Sequence, residues 1–219
     1  MKKLTQEEIQ RLRSAMERLI KEKGMEHLGS MHGGPKKDKG RSYCPDHGDI
    51  CCLHTYPGFL PWHRLYMTQM EDALGMALPY WDWTEEDQGP GSKSGIPSLW
   101  EGLTPTLRDG VDGACTIKEL KDVCACTNED PMLVSRQKNV SIDAKSKRGS
   151  IQVAFDQPDF DRFEPLIRVP HDRAHGEIGC EMGAHETAGY DPMFFLHHTF
   201  VDYQWAFWQE VHRIREALL

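Results

Sequence analysis

Apolar residues recur at helical spacing in several stretches of the chain, and capping residues mark where those stretches begin and end. Thr5 and Glu8 form a capping-box pair, after which Ile9, Leu12, Met16, Leu19 and Ile20 repeat every three or four positions until Gly24. The pattern predicts an amphipathic helix over residues 5–23. A second helix is predicted with Pro61 in its first turn, running through Trp62, Leu65, Met70 and Leu74 to Gly75, since proline suits a helix start and glycine its end. From Pro79 to about residue 160 the periodicity breaks up, through YWDWT at 80–84, GPGSKSG, a cysteine-bearing stretch and the basic KSKRGS at 145–150. These read as long cross-linked loops, with Ile151 to Phe155 a short strand. Pro170 then marks the start of a helix bearing His171 and His175. A last helix opens with Asp191 as N-cap and Pro192 at its first position, and places Phe195, Val201, Trp205, Trp208 and Val211 on an apolar face. With no internal repeat and little strand signal, the expected fold is mainly α: a four-helix bundle, with little β, whose interior can host metal ligands.

Composition narrows the function. At 219 residues, 39% hydrophobic and 27% charged, the chain has the make-up of one globular domain and is long enough to need no cross-link merely to form a core. No apolar run approaches the ~20 residues that span a bilayer, so no membrane partner is expected. The net charge of −8 argues against a surface built to neutralise phosphates, and hence against nucleic acid. The N-terminal MKKLTQEEIQ has no apolar signal core, yet seven cysteines are many for a reducing compartment, so a secreted or extracellular setting is favoured. The odd count leaves at least one cysteine outside any internal disulfide. Asn139-Val140-Ser141 fits the glycosylation acceptor pattern, which arises often by chance.

Eleven histidines direct attention to a metal site. His171 and His175, four apart on a helix, project from one face and can share an ion, and a helix starting at Asp191 can bring His197 or His198 to the same interior. His63 on the second helix, His54 on its approach and His32 in SMHGGP supply a second set. For one such set a satisfied buried histidine is the plainer reading; two sets in a chain this short point to a binuclear centre. Imidazoles without carboxylates or thiolates suit copper, zinc or iron rather than calcium or magnesium. A zinc hydrolase remains a reading of the same residues, while two adjacent sites with no bridging carboxylate favour a copper pair.

The segment CCLHTYPGFLPWHRLYMTQMEDAL followed by LPYWDWT resembles the first copper-binding region of the type 3 copper proteins, the tyrosinases, catechol oxidases and molluscan haemocyanins. PHDRAH and YDPMFFLHHTFVDYQWAFWQ resemble the second, and the likeness covers about residues 28–84 and 160–210. It implies a single tyrosinase-like domain over 1–219 that holds two copper ions and uses dioxygen as co-substrate. Carried over by position, His32, His54 and His63 would hold the first ion, with His27 and His47 as competitors of His32. His171, His175 and His198 would hold the second, His198 being preferred to His197 because the family ligand is usually the second histidine of this pair.

The resemblance also implies a thioether between Cys52 and His54, two residues apart, and a disulfide between Cys44 and Cys51; Cys115, Cys124, Cys126 and Cys180 would form two more disulfides in an open connectivity. Glu164 aligns with the family glutamate that orients a water near the site, and Asp172 stands where many tyrosinases have asparagine. Together they would help deprotonate an incoming phenol, or else Glu164 pairs with Arg168 and Asp172 is simply solvated. Gly176 directly after His175 removes bulk at the entrance, where Met182 and His185 also fall, although a glycine ending a helix and plain loop residues are the bland alternatives. No shielding C-terminal domain is expected, so the copper pair is expected to be open to a small aromatic substrate. The expected function is oxidation of small phenolic substrates, ortho-diphenols to ortho-quinones with ortho-hydroxylation of monophenols; the alternative is a haemocyanin-like dioxygen carrier with little turnover.

Overall fold

Thr5 begins the first helix as its sequence requires: its hydroxyl accepts from the Glu8 amide while the Glu8 carboxylate accepts from the Thr5 amide. The computed structural model describes residues 4–33, 54, 57–85, 103, 105–107, 113–116, 118–121, 123–126, 132–138 and 140–217. Six α-helices dominate these residues: α1 (Gln6–Lys21), α2 (Gly24–His32), α3 (Phe59–Leu74), α4 (Ala144–Phe155), α5 (Phe160–Ile178) and α6 (Pro192–Ala217). Short 3-10 turns lie at Ala114–Thr116, Lys118–Leu120, Cys180–Gly183 and Ala188–Tyr190, and β structure among the described residues amounts to isolated bridges. The mainly α expectation holds, and α2, α3, α5 and α6 are the four helices that carry histidines to the centre.

The apolar faces of these helices meet in one core. Met16 of α1, Phe59 and Met70 of α3, Phe163 of α5 and Phe194, Phe195 and Phe200 of α6 are all buried in it, with Trp81 and Trp83 of the YWDWT segment. Each such side chain contributes about 1.5–3 kcal/mol by leaving water. α3 packs on α6 and α4 on α5. Two disulfides, Cys115–Cys126 and Cys124–Cys180, settle the connectivity that the spacing left open, and the second ties the loop region to the end of α5.

Two sequence expectations are corrected. Residues 151–155 are not a strand but the last part of α4: Asp143 caps the helix on the Ser146 amide, and Ala144, Lys147, Ile151 and Ala154 turn one face inward. Lys147 is fully buried there and pairs with Glu177 of α5. The helix bearing His171 and His175 starts ten residues before Pro170, at Phe160, with Asp159 capping the Arg162 amide, and Pro165 and Pro170 lie inside it. Each proline forgoes one intrahelical hydrogen bond, a cost that the buried face of Phe163, Ile167 and Ala174 outweighs. A helix that the sequence pattern did not predict follows α1 directly at Gly24. Lys23 takes a left-handed conformation and α2 begins at once, ending on His32. His32 lies so close to the 188–190 turn that a Cβ on Gly189 would stand 2.7 Å from the His32 Cβ, so only glycine fits there. Among the described residues no helix is long and apolar enough to cross a membrane.

Candidate metal centre

Two groups of imidazoles face each other inside the helices. His32, His54 and His63 form one, and His171, His175, His197 and His198 the other; within each, the ring nitrogens that could bind an ion lie within 4.8 Å of one another. His171 and His175 come from successive turns of α5, while His63, His197 and His198 come from the early turns of α3 and α6. His54 stands on irregular backbone ahead of α3.

Their orientation is set by partners for the second ring nitrogen. Nδ1–H of His32 donates to the His185 carbonyl at 3.0 Å, that of His63 to the Phe59 carbonyl at 2.8 Å and that of His175 to the Met182 carbonyl at 2.8 Å. A carbonyl only accepts, so Nδ1 carries the proton in each and Nε2 keeps its lone pair for an ion. His171 Nδ1 donates likewise to Asp172 Oδ1 at 2.8 Å. Burial pushes the imidazoles of His32, His63, His171, His175 and His198 well below their ordinary range, and neighbouring rings push them further, so they are neutral as metal ligation requires.

The donor set fits a metal. Nε2 of His32 and of His63 is buried without a hydrogen-bond partner among the described residues, a costly state that an ion would relieve. Nε2 of His198 lies 3.2 Å from Nε2 of both His171 and His175. Nitrogens bonded to one ion at about 2.0 Å and near-tetrahedral angles would lie roughly 3.3 Å apart. Nitrogen-only ligation suits copper or zinc and leaves hard, oxygen-seeking ions poorly served.

A cavity of about 210 Å³ opens onto both groups, lined in part by His54, Asp172, Gly176, Met182 and His185. A Cβ added at Gly176 would meet nothing within 4 Å, so the mouth beside His175 has open space. Asp172 carries a side chain 69% exposed there, and His185 lies tilted against His54 with ring centroids 4.4 Å apart.

The six expected ligands thus come together. His27 is exposed on α2, away from the group that contains His32, while His47, Cys44, Cys51 and Cys52 lie outside the described residues. Glu164 is fully buried but does not line the cavity; it faces Arg168 at 3.6 Å. His197 joins the second group beside His198: its ring stacks on His171, centroids 4.9 Å apart, and both its nitrogens are buried without a hydrogen-bond partner among the described residues. Its signal was present in the His197-His198 pair, but sequence could not say that both would turn inward. The carbonyls of Phe59, Met182 and His185 were not foreseen, since a backbone acceptor leaves no mark on residue identity.

Residues 22–211 match the family model of the common central domain of tyrosinase. The chain belongs to this type 3 copper family. It is 30% identical to hemocyanin 2 of Megathura crenulata over 97% of its own length, which is 6% of that protein, and 29% identical to hemocyanin beta-C chain unit G of Helix pomatia, over 97% of this chain and 51% of that unit. A functional unit of octopus hemocyanin superposes with a TM-score of 0.70 at 26% identity, covering 97% of this chain and 53% of that one. Deoxygenated hemocyanin from Rapana thomasiana gives 0.71 at 26% identity, covering 97% and 54%. The chain thus spans about half the length of the Helix unit and of the two solved hemocyanin chains, and 6% of hemocyanin 2.

Proposed function

We propose that this chain binds dioxygen at a pair of copper ions held by His32, His54 and His63 on one side and His171, His175 and His198 on the other. The observation that carries the reading is the convergence of two imidazole groups, most of their rings buried, in a tyrosinase-family fold. Copper, once bound, supplies the dioxygen-binding and electron-transfer chemistry; the protein's part is to fix the rings by their Nδ1 partners and to exclude water with Phe59 and Phe194, which pack against His171 and His198. The hemocyanins among its relatives favour reversible binding as the outcome.

A second reading, oxidation of ortho-diphenols to ortho-quinones, is favoured by one feature: the cavity beside His54 and His175 is open at Gly176. An aromatic ring could enter between Gly176, Met182 and His185. Asp172, exposed at the same mouth, could accept the phenolic proton, which a monophenol must also lose before ortho-hydroxylation. Glu164, lying beyond the lining, would act on this step only through its neighbours. The two readings part in one experiment on copper-loaded protein: dioxygen uptake reversed by evacuation, followed by initial rates on a catechol and its matching monophenol. Reversible uptake with negligible turnover supports a carrier, and sustained catechol oxidation supports an oxidase. Failure to take up dioxygen at all sinks both.

A further inference from the structure

His54 is the one ligand of the first group that no helix carries. A side chain from the opposite half of the centre reaches it: Arg168 of α5 donates from Nη1 to the backbone carbonyl of His54, 114 residues away in sequence. The same guanidinium turns its Nε toward Glu164, one turn earlier on α5, at 3.6 Å. Glu164 has no solvent exposure, and neither carboxylate oxygen has a hydrogen-bond partner among the described residues. A buried carboxylate with so little support needs a cation beside it, and Arg168 is the cation the structure gives it. Arg168 also stands one turn before His171, on the helix that holds two ligands of the second group.

We infer that Arg168 is a positioning residue for the first copper: anchored by Glu164, it clamps the His54 carbonyl and so fixes a loop-borne ligand to the helix that carries the second copper's ligands. The inference rests on the copper reading above. Its chemistry is specific to arginine, because a planar fork can face a carboxylate with one nitrogen and a carbonyl with another, whereas lysine offers a single point of charge. The relation is with the backbone of residue 54, so it would hold whichever reaction follows at the metals.

The test is a copper titration of wild type, Arg168→Gln, Arg168→Lys and Glu164→Gln, read by ions bound per chain and by electron paramagnetic resonance, with thermal unfolding of each apo-protein alongside. Wild type should take up two ions, spin-coupled and nearly silent. Arg168→Gln should hold one tightly and the other at least tenfold more weakly, so that a lone cupric ion gives a strong signal at concentrations where wild type is full. Arg168→Lys should fall between them, and Glu164→Gln should weaken the same single ion. A merely structural arginine would lower the apo melting temperature and weaken both ions alike, or neither; either pattern overturns the assignment, as does full two-ion loading in Arg168→Gln. Wild type that fails to hold two ions would overturn the copper reading itself, and the clamp with it.

Discussion

His63 and His198, one from each imidazole group, lie face to face with ring centroids 4.3 Å apart and planes 8° from parallel. The two groups therefore form one centre rather than two separate sites. His63 is held by the Phe59 carbonyl and His198 by the face of Phe194, 4.0 Å away between centroids. Neither ring can move far without disturbing the other, because both are buried in close-packed surroundings.

It follows that His63→Ala or His198→Ala should each abolish dioxygen binding, even though each removes a ligand from only one ion. The measurement is dioxygen uptake by copper-loaded protein, with copper counted per chain. Full uptake by either variant would show that the two groups work independently.

Stability should hinge on a different pair. Arg136 donates two hydrogen bonds to the fully buried Asp191 carboxylate, at 2.5 and 2.7 Å, and the same carboxylate caps α6 on the Met193 amide at 2.8 Å. Asp191→Ala would leave a largely buried guanidinium unpaired and uncap the helix that carries His198. The expected loss is about 3–5 kcal/mol, far above the ~1 kcal/mol of an ordinary cap. Denaturant unfolding of the apo-protein measures it; a loss near that of a cap alone would show that water replaces Asp191.

Gly176 governs access. Because a Cβ there meets open space, Gly176→Phe should fold normally while its ring projects into the mouth of the cavity. On the oxidase reading, KM for a bulky catechol should rise on the order of tenfold, about 1.4 kcal/mol, with dioxygen uptake little changed. An unchanged KM with that substrate would place the entrance elsewhere.

How far the sequence was legible depended on where the information lies. Caps and periodicity exposed α1, α3 and α6 because Thr5, Gly75 and Asp191 act locally, and the structure finds each in its expected role. α2 was hidden because Lys23 takes the left-handed conformation between the helices and Gly24, where the apolar repeat ends, opens the next helix. α5 was cut short at Pro170 because a proline reads as a start; burial of Phe163 and Ile167 carries the helix through two of them. At the centre, the histidines were legible as residue types at telling spacings. The carbonyls of Phe59, Met182 and His185 and the reach of Arg168 to His54 exist only once the chain has folded.

The remaining cysteines offer a chemical test. Four of the seven are paired as Cys115–Cys126 and Cys124–Cys180, which leaves Cys44, Cys51 and Cys52 to be accounted for. An internal disulfide can take only two of these, and resemblance to the type 3 family assigns the third, Cys52, to a thioether with a ring carbon of His54. Forming that bond from the thiol S–H and the ring C–H releases two protons and two electrons; two cupric ions, bound as proposed, would take one electron each, and the protons would pass to solvent. Unlike a disulfide, a thioether survives thiol reductants. Copper-matured protein, fully reduced and denatured, should therefore accept one alkyl group fewer than the seven cysteines allow, and its intact mass before alkylation should be two hydrogens lighter than that of protein made without copper. Fragmentation should place the missing alkyl group at Cys52. Seven groups on both samples would refute the cross-link.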